Sequence, residues 1–280
     1  MSYTEMGSRI AARRKELGQT QAQLANRLGV TARAVSAWER GKAVPEAERL
    51  EDIAEALGVS VSVLLEGKVS LSREDDADRE ADAEALYARV EAFALENGCT
   101  QTLAALPYMR DKHSGQYRKG AGAVPFIIHP LDMACHAIAL GLGTDELLAT
   151  ALLHDVCEDC GIPPEELPVG ENVRNSVKYL TFTQSGGESW DDAKGHYYAG
   201  IRRSREASLV KLLDRCNNVS AMADAFSREK LASYIGETRK YVLPLSDKLR
   251  REEPALSSAL YLLEYHISSV IFTAEVLMAR

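Results

Sequence analysis

The side chains best suited to chemistry lie in one short segment, Leu152-Leu153-His154-Asp155-Val156-Cys157-Glu158-Asp159. An adjacent imidazole and carboxylate, here His154 and Asp155, can bind one divalent metal ion together. Glu158 and Asp159 follow four residues after them, so a continuous helix would place all four groups on one face. Unpaired carboxylates are costly to bury, and a metal ion that neutralises them removes that cost. The segment therefore predicts a metal site with two further acidic groups beside it.

Two more residues extend this prediction. His129, in Ile127-Ile128-His129-Pro130, falls where a helix begins, and Asp214 interrupts an otherwise apolar helical stretch. Either residue alone is more often structural than functional. Taken together, His129, His154, Asp155 and Asp214 resemble the metal-ligand order of the HD phosphohydrolases, with two imidazoles and two carboxylates around one ion.

Longer motifs narrow the resemblance. Tyr117-Arg118-Lys119, the HDxxED segment of residues 154–159, and Lys211-Leu212-Leu213-Asp214-Arg215-Cys216-Asn217-Asn218 are similar to the hydrolase domain of RelA/SpoT-type alarmone enzymes over roughly residues 85–250. That family removes the 3′-pyrophosphate from (p)ppGpp with a manganese ion. The resemblance implies that Glu158 and Asp159 handle the attacking water, and that four residues bind the nucleotide: Arg118, Lys119, Lys211 and Asn218.

The chain departs from the family pattern at two places. The loop from Lys119 to Pro125 is longer than usual, and Asn217 stands where a histidine usually precedes Asn218. The longer loop leaves a guanine or an adenine alarmone open as substrate. We expect no alarmone synthesis, because only two more helices follow the hydrolase motifs.

A second resemblance covers the N-terminal segment. Thr20-Gln21-Ala22-Gln23-Leu24-Ala25, Gly29-Val30-Thr31 and Val35-Ser36-Ala37-Trp38-Glu39-Arg40 resemble the helix-turn-helix of Cro/C1-type (XRE) repressors. In that family the second helix enters the major groove, which implies double-stranded DNA as a partner. The DNA-contacting residues implied are Gln21, Thr31, Arg33, Ser36, Ala37 and Arg40. Because one such module binds weakly, we expect a homodimer on a palindromic site.

The charge distribution and the positions of capping and turn residues agree with this interpretation. Residues 1–42 carry eight Lys or Arg against three Asp or Glu, although the whole chain has a net charge of −8. Thr20 and Thr31 are suited to cap helices, and Gly29 permits the tight turn between them. Helical spacing of apolar residues predicts five short helices over residues 6–66.

Composition bounds the class of protein. With 280 residues, 46% hydrophobic and 26% charged, the chain predicts a soluble protein of two domains. Five cysteines and a polar N-terminus favour reduced thiols in the cytoplasm. The apolar runs, such as residues 138–142, are too short to span a bilayer, so no membrane partner is expected.

The elements that position these residues are predicted to be helices throughout. We expect an all-α protein: a five-helix helix-turn-helix domain at 1–67, an acidic linker or frayed helix start at 68–83, and an HD-domain helical bundle at 84–280. The predicted bundle helices are 84–97, 131–141, 144–159, 171–181, 190–203, 207–224, 228–250 and 255–278.

The function predicted is a metal-dependent (p)ppGpp-type hydrolase that carries a DNA-binding domain, with nucleotide-linked regulation of transcription as a further hypothesis. One alternative is a regulator whose pocket binds a nucleotide without turnover. Another is a hydrolase of a different nucleotide. Glu158 and Asp159 argue against a pure sensor, which needs no group to accept a proton.

Overall fold

The computed structural model describes residues 3–46, 49–57, 59, 76–118 and 124–279, and every regular element within these ranges is helical. This confirms the all-α expectation. By internal contacts the chain divides into two compact units, Met1–Glu74 and Asp75–Arg280. Each unit is described by itself.

The first unit contains four described helices, and the fifth helix expected there falls outside the described residues. Thr20 and Thr31 accept hydrogen bonds from Gln23 N and Ala34 N, which confirms both caps. Gly29 lies between the capped helices with a φ of 65°, a conformation that side-chain-bearing residues rarely adopt. The helices are α1 (Tyr3–Glu16), α2 (Gln21–Arg27), α3 (Ala32–Glu39) and α4 (Arg49–Leu57).

A small apolar core holds these helices together. Ile10, Leu24, Val35, Ile53 and Leu57 are buried in it, one or two from each helix. Because each helix contributes a single apolar stripe, its opposite face remains available to solvent or to a partner. The amphipathic pattern of the sequence therefore accounts for this core.

The second unit is a larger helical bundle. Its helices are α5 (Asp76–Glu96), α6 (Thr100–Lys112), α7 (Ile128–Ala139), α8 (Asp145–Leu153), α9 (Val156–Cys160), α10 (Glu171–Leu180), α11 (Trp190–Ile201), α12 (Arg205–Ala225), α13 (Arg228–Glu237), α14 (Leu243–Glu252) and α15 (Ser257–Met278). Short 3₁₀ turns occur at Pro164–Glu166 and Pro254–Leu256, and a π-helical turn at Thr238–Val242 joins α13 to α14.

Helix α12 is the centre of this bundle. It packs against α7, α8, α10, α14 and α15, while α6 packs between α5 and α8. Leu209, Leu212, Leu213 and Cys216 are buried along α12. A polar side chain on this helix, such as Asp214, is therefore held in fixed register against α7 and α8.

Four sequence-based expectations need correction. Helix 100–112 was not expected, and the helix expected at 228–250 is interrupted by the π-helical turn. Residues 76–83 belong to α5, so the helix-start alternative holds for them and the linker does not. The helix expected at 144–159 is broken, because His154 ends α8 and Asp155 begins α9. The doublet of His154 and Asp155 therefore lies at a helix break, and the expectation of one continuous helical face was wrong.

One helix in the described ranges, Pro254–Met278, is long and apolar enough by length and composition to cross a membrane. A third of its most apolar window is buried inside the second unit, and core helices of soluble proteins meet the same criterion. This helix meets the criterion through its mean hydropathy, because polar residues such as Glu264 and Glu275 separate apolar runs that are themselves short.

Candidate metal centre and its cavity

Three helix ends bring the candidate ligands together. His129 lies in the first turn of α7, and His154 and Asp155 form the break between α8 and α9. Gly161, with a φ of 66°, ends α9 in a left-handed conformation after a single short turn. His129, His154 and Asp155 each offer a ligand atom, and these atoms all lie within 4.8 Å of one another.

The protons on the two imidazoles are arranged for metal binding. His154 Nδ1 donates to the Ala151 carbonyl oxygen at 2.8 Å, and His129 Nδ1 lies 2.7 Å from Asn217 Oδ1. With Nδ1 carrying the proton, each Nε2 can present its lone pair to the centre. His154 Nε2 is buried and lacks a hydrogen-bond partner among the described residues, although Asp155 Oδ2 lies 3.0 Å away. Such a nitrogen fits the role of a metal ligand.

The neighbouring carboxylates favour the protonated, positively charged form of His154. Burial lowers the pKa of His154, but the neighbouring Asp155 and Asp214 outweigh it and raise the pKa to about 9. Burial also raises the pKa of the Asp155 carboxyl, but His154 outweighs this effect and lowers it. A metal ion bound here would take the place of the imidazole proton.

Asp214 approaches from α12. Its Oδ1 lies 3.4 Å from His129 Nε2, and its Oδ2 accepts from Lys211 Nζ at 2.9 Å. Asn218, one turn later, also donates to Asp214. Burial raises the pKa of this carboxyl, but Lys211 and His129 outweigh it and hold the pKa well below its usual range. Asp214 is thus an anion placed beside the three-ligand group.

Asn217 connects the metal centre to Arg118. The Arg118 guanidinium donates to Asn217 Oδ1 at 3.0 Å and to Asn218 Oδ1 at 2.6 Å. Asn217 Oδ1 is also the partner of His129 Nδ1. The residue that replaces the usual histidine therefore orients both an imidazole and an arginine. Its identity was visible in the sequence, but its contacts were not.

A cavity of about 270 Å³ opens onto these groups. Glu158 lines it, and one carboxylate oxygen of Glu158 accepts from Phe182 N at 2.9 Å. Asp159 does not line it; burial, followed by the Asp155 carboxylate, raises the pKa of Asp159. The lining residues are His154, Asp155, Glu158, Leu180, Phe182, Trp190, Lys194, Tyr197, Lys211, Asp214 and Asn218.

One wall of the cavity was not expected from the sequence. Lys194 Nζ lies 4.9 Å from the Phe182 ring centroid and 5.2 Å from that of Trp190. Lys194 also contacts Glu237 at 3.0 Å. These residues come from α11 and the loop before it, so only folding brings them to the doublet.

The expected nucleotide contact Lys119 lies outside the described residues. The chain on either side of its loop is paired, with Arg118 N donating to Val124 O at 2.9 Å. His113 stacks on Phe126 and lines a second cavity of about 390 Å³, which His154 and Asp155 do not line.

Comparison with known proteins decides the family. The guanosine-3′,5′-bis(diphosphate) 3′-pyrophosphohydrolase MESH1 of Xenopus tropicalis is 31% identical over 139 residues, which are 47% of this chain and 77% of MESH1. This chain belongs to the guanosine-3′,5′-bis(diphosphate) 3′-pyrophosphohydrolase family.

Larger members of the family are matched only in part. The guanosine-3′,5′-bis(diphosphate) 3′-pyrophosphohydrolase of Aquifex aeolicus (strain VF5) is 31% identical over 151 residues, 52% of this chain. The match spans 21% of the Aquifex protein. The shared region therefore corresponds to one portion of the larger relatives.

The N-terminal unit of this pyrophosphohydrolase family member has its own relatives. A family model described as helix-turn-helix matches residues 10–64. Repressor protein C2 of Salmonella phage P22 is 45% identical over 70 residues, 25% of this chain and 32% of the repressor. These matches confirm the helix-turn-helix resemblance.

The residues expected to contact DNA lie on or beside α2 and α3. Arg33 and Arg40 are exposed, while Ser36 and Ala37 are half-buried, and Thr31 caps α3. Gln21 Nε2 donates to Glu39 Oε2 at 2.7 Å, and Arg14 contacts the same carboxylate at 2.5 Å. Gln21, at the start of α2, is thus held by Glu39, which itself forms an ion pair with Arg14.

Proposed function

We propose that this chain hydrolyses the 3′-pyrophosphate of (p)ppGpp. In this reaction a water oxygen bonds to the phosphorus next to the ribose, and the bond between that phosphorus and O3′ breaks. Pyrophosphate leaves, and O3′ takes up a proton. The relatives named for this activity and the acidic cavity beside the imidazoles support the proposal.

The metal ligands we propose are His129, His154, Asp155 and Asp214. A mixed nitrogen and oxygen ligand set suits Mn²⁺ or a similar divalent ion. Such an ion, when bound, polarises a phosphate oxygen and lowers the pKa of water. The buried, unpartnered His154 Nε2 is the observation that makes these residues fit a metal.

Glu158 is the group we propose to accept the proton of the attacking water. It lines the cavity next to Asp155, and its hydrogen bond from Phe182 N fixes the carboxylate in place. Asp159 does not line the cavity, so we assign it a supporting role, in which its carboxyl acts electrostatically on the neighbouring Asp155.

Basic and amide side chains would hold the polyphosphate chain and the ribose. Lys211, Lys194 and Asn218 line the cavity, and Arg118 reaches Asn218 from the side. Each ammonium can offset one phosphate charge, and a guanidinium can bind two phosphate oxygens at once. We include Lys119 in the same role because it follows Arg118 in the sequence. Phe182 and Trp190 offer apolar faces to the nucleoside.

A single observation carries this proposal: Glu158 and three candidate metal ligands, His154, Asp155 and Asp214, line one cavity together with Lys194 and Lys211. The test is a panel of guanine and adenine alarmones, nucleoside triphosphates and dinucleotides, each incubated with the Mn²⁺-loaded full chain. Products are identified by mass spectrometry. We expect pyrophosphate and a 3′-hydroxyl nucleotide from (p)ppGpp; orthophosphate alone, or turnover only of another nucleotide, would reassign the substrate.

For the N-terminal unit we propose sequence-specific DNA binding by α3, linked to nucleotide occupancy of the cavity. A helix-turn-helix and a nucleotide pocket on one chain allow such coupling, which must be reciprocal if it exists. The test uses Glu158→Gln protein, which would retain the bound nucleotide. Its operator affinity should change when saturating (p)ppGpp is added; equal affinities would leave two independent functions.

A further inference from the structure

Helix α15 carries two apolar stripes, although a surface helix needs only one. The inner stripe, Leu260, Leu263, Ile267 and Ile271, is buried against the second unit. The outer stripe, which we call the outer seam, consists of the exposed residues Leu262, Tyr265, Phe272 and Val276 and the half-buried Ser269. Tyr261 and Leu277 are exposed beside it.

The spacing of the outer seam is that of a coiled-coil stripe. Leu262, Tyr265, Ser269, Phe272 and Val276 follow one another at intervals of three, four, three and four residues. This alternation keeps side chains on one side of a helix that packs lengthwise against another helix. A partner helix that packs lengthwise on α15 would therefore cover this surface.

The ionisable side chains of α15 within this stretch are all engaged inside the unit. Glu264 pairs with Arg250 at 2.6 Å, Glu275 pairs with Arg239 at 2.6 Å, and His266 lies 2.9 Å from Ser220 Oγ. The seam thus offers no charge to an acidic or basic partner. It also lacks the row of exposed Lys and Arg with which helices bind anionic lipid surfaces.

We propose that the outer seam is the interface between two copies of this chain. A neutral, apolar stripe with coiled-coil spacing is complementary to itself, as a twofold dimer requires. The aromatic side chains of Tyr261, Tyr265 and Phe272 are 61%, 63% and 65% exposed, and Leu262 and Leu277 are 53% and 63% exposed. Together with Val276 they offer roughly 600 Å² per copy, the low end of stable interfaces.

This proposal is independent of the hydrolase activity, and it has a consequence for the N-terminal unit. A dimer formed through α15 carries two helix-turn-helix units. Two such units are what binding to a palindromic DNA site requires. The seam therefore supplies, from the second unit, the pairing that a single helix-turn-helix lacks.

The test is sedimentation velocity of the full chain over about 1 to 100 µM. We expect a concentration-dependent shift from 30.7 kDa towards twice that mass. Phe272→Glu should raise the dimer dissociation constant at least about 30-fold, as loss of a central aromatic does. Tyr265→Ser gives a second variant with a smaller perturbation, and circular dichroism verifies that each variant folds.

Leu95→Glu is the matched control, because Leu95 is also 65% exposed but lies on α5, outside the seam. It should dimerise as the wild type does. A wild type that stays at 30.7 kDa throughout would overturn the proposal, as would a dimer that both seam variants leave intact. Co-sedimentation of monomeric wild type with phosphatidylcholine and phosphatidylglycerol vesicles would overturn it in favour of a lipid surface.

Discussion

At the scale of single residues, the candidate metal centre depends on two imidazoles whose Nδ1 atoms are already satisfied. This arrangement leaves Nε2 of His154 buried without a hydrogen-bond partner among the described residues. Burial of a polar atom without a hydrogen-bond partner costs free energy, and a metal ion bound to this nitrogen would recover that cost. The centre should therefore bind metal tightly and depend on each ligand.

We predict that His154→Ala and Asp155→Ala each lose bound Mn²⁺ while keeping the helical fold. The fold survives because α8 is buried by its apolar side chains rather than by the doublet. Elemental analysis of purified protein measures the metal, and Asp111→Ala, which removes an exposed carboxylate, is the control. Full manganese occupancy in both ligand variants would contradict the assignment.

Asn217 gives a second residue-scale prediction. Asn217→Leu removes the acceptor that His129 Nδ1 and Arg118 share, so the imidazole loses its orientation. Loss of such a supporting contact typically weakens metal binding about 10- to 100-fold. Calorimetric titration of the metal-free protein with Mn²⁺ measures it directly.

Two comparisons make the Asn217 test specific. Asn217→Asp retains an oxygen acceptor and should recover much of the affinity. Asn172→Leu, which removes only an exposed contact to Glu146, should bind Mn²⁺ as the wild type does. Unchanged affinity in Asn217→Leu would show that the residue does not orient His129.

At the scale of helices, the break between α8 and α9 places His154 and Asp155 at the cavity, and the end of α13 supports the cavity residue Lys194. Glu237, the last residue of α13, receives hydrogen bonds from Arg215 at 2.8 Å and from Tyr198 at 2.7 Å. It also contacts Lys194 of the cavity wall at 3.0 Å. One half-buried carboxylate thus ties α11, α12 and α13 together.

This carboxylate makes stability depend on pH. Burial raises the pKa of Glu237, but Tyr198, Arg215 and Lys194 outweigh it and lower the pKa to about 2. Because the pKa is lower in the folded state, the stabilisation is present above the ordinary value of about 4.5 and is lost as pH falls towards 2. The shift corresponds to about 3 kcal/mol.

We predict that Glu237→Gln lowers the free energy of unfolding most above about pH 5, with the difference from wild type narrowing as pH falls. Urea denaturation at several pH values measures it. Glu252→Gln, which affects only an exposed pair with Lys248, should show little difference. A Glu237→Gln deficit that stays constant from pH 6 to about pH 3 would rule out the linkage.

The recognition helix gives the next prediction. Arg33→Ala should weaken binding to a selected DNA site by about 1–3 kcal/mol and reduce sequence preference, because Arg33 is exposed on α3. Gln21→Ala should weaken binding to all sequences alike. Fluorescence anisotropy on selected and scrambled duplexes distinguishes these effects. The control is Arg203→Ala, which removes an exposed charge from the second unit and should leave binding to both duplexes unchanged. If Arg33→Ala instead weakens binding to both duplexes equally, Arg33 contacts phosphate and not a base.

Helix-scale features were only partly predictable from the sequence. The caps at Thr20 and Thr31 follow from local chemistry, and both are present. The helix at 100–112 was missed because Pro107 interrupts its pattern. The break at residues 154–155 has apolar residues on both sides, so the hydrophobic periodicity alone predicts one continuous helix there.

At the scale of the whole molecule, the order of motif residues along the chain predicted which of them lie close together in the fold. His129, His154, Asp155 and Asp214 were grouped by their resemblance to a known motif, and α7, α8 and α12 bring them together. The wall formed by Phe182, Trp190 and Lys194 carries no such motif. Its place depends on how α11 packs beside α10, a tertiary property that local pattern does not encode.

The whole chain combines a helix-turn-helix with a pyrophosphohydrolase fold. Its proposed chemistry depends on Glu158, which we propose accepts a proton from water in a cavity lined by candidate metal ligands. Replacing it with glutamine keeps the shape and removes the basic oxygen. General-base assistance contributes about 10²–10⁴-fold to a rate, so the effect should be large.

The most direct test is the rate of pyrophosphate release from (p)ppGpp by Mn²⁺-loaded wild type, Glu158→Gln and Glu165→Gln. Glu165 is an exposed carboxylate outside the cavity and serves as the control. We predict that Glu158→Gln binds metal and nucleotide normally but turns over about 10²–10⁴-fold more slowly, while Glu165→Gln matches wild type. A metal-loaded wild type that releases no pyrophosphate, or a Glu158→Gln variant with wild-type turnover, would contradict the account.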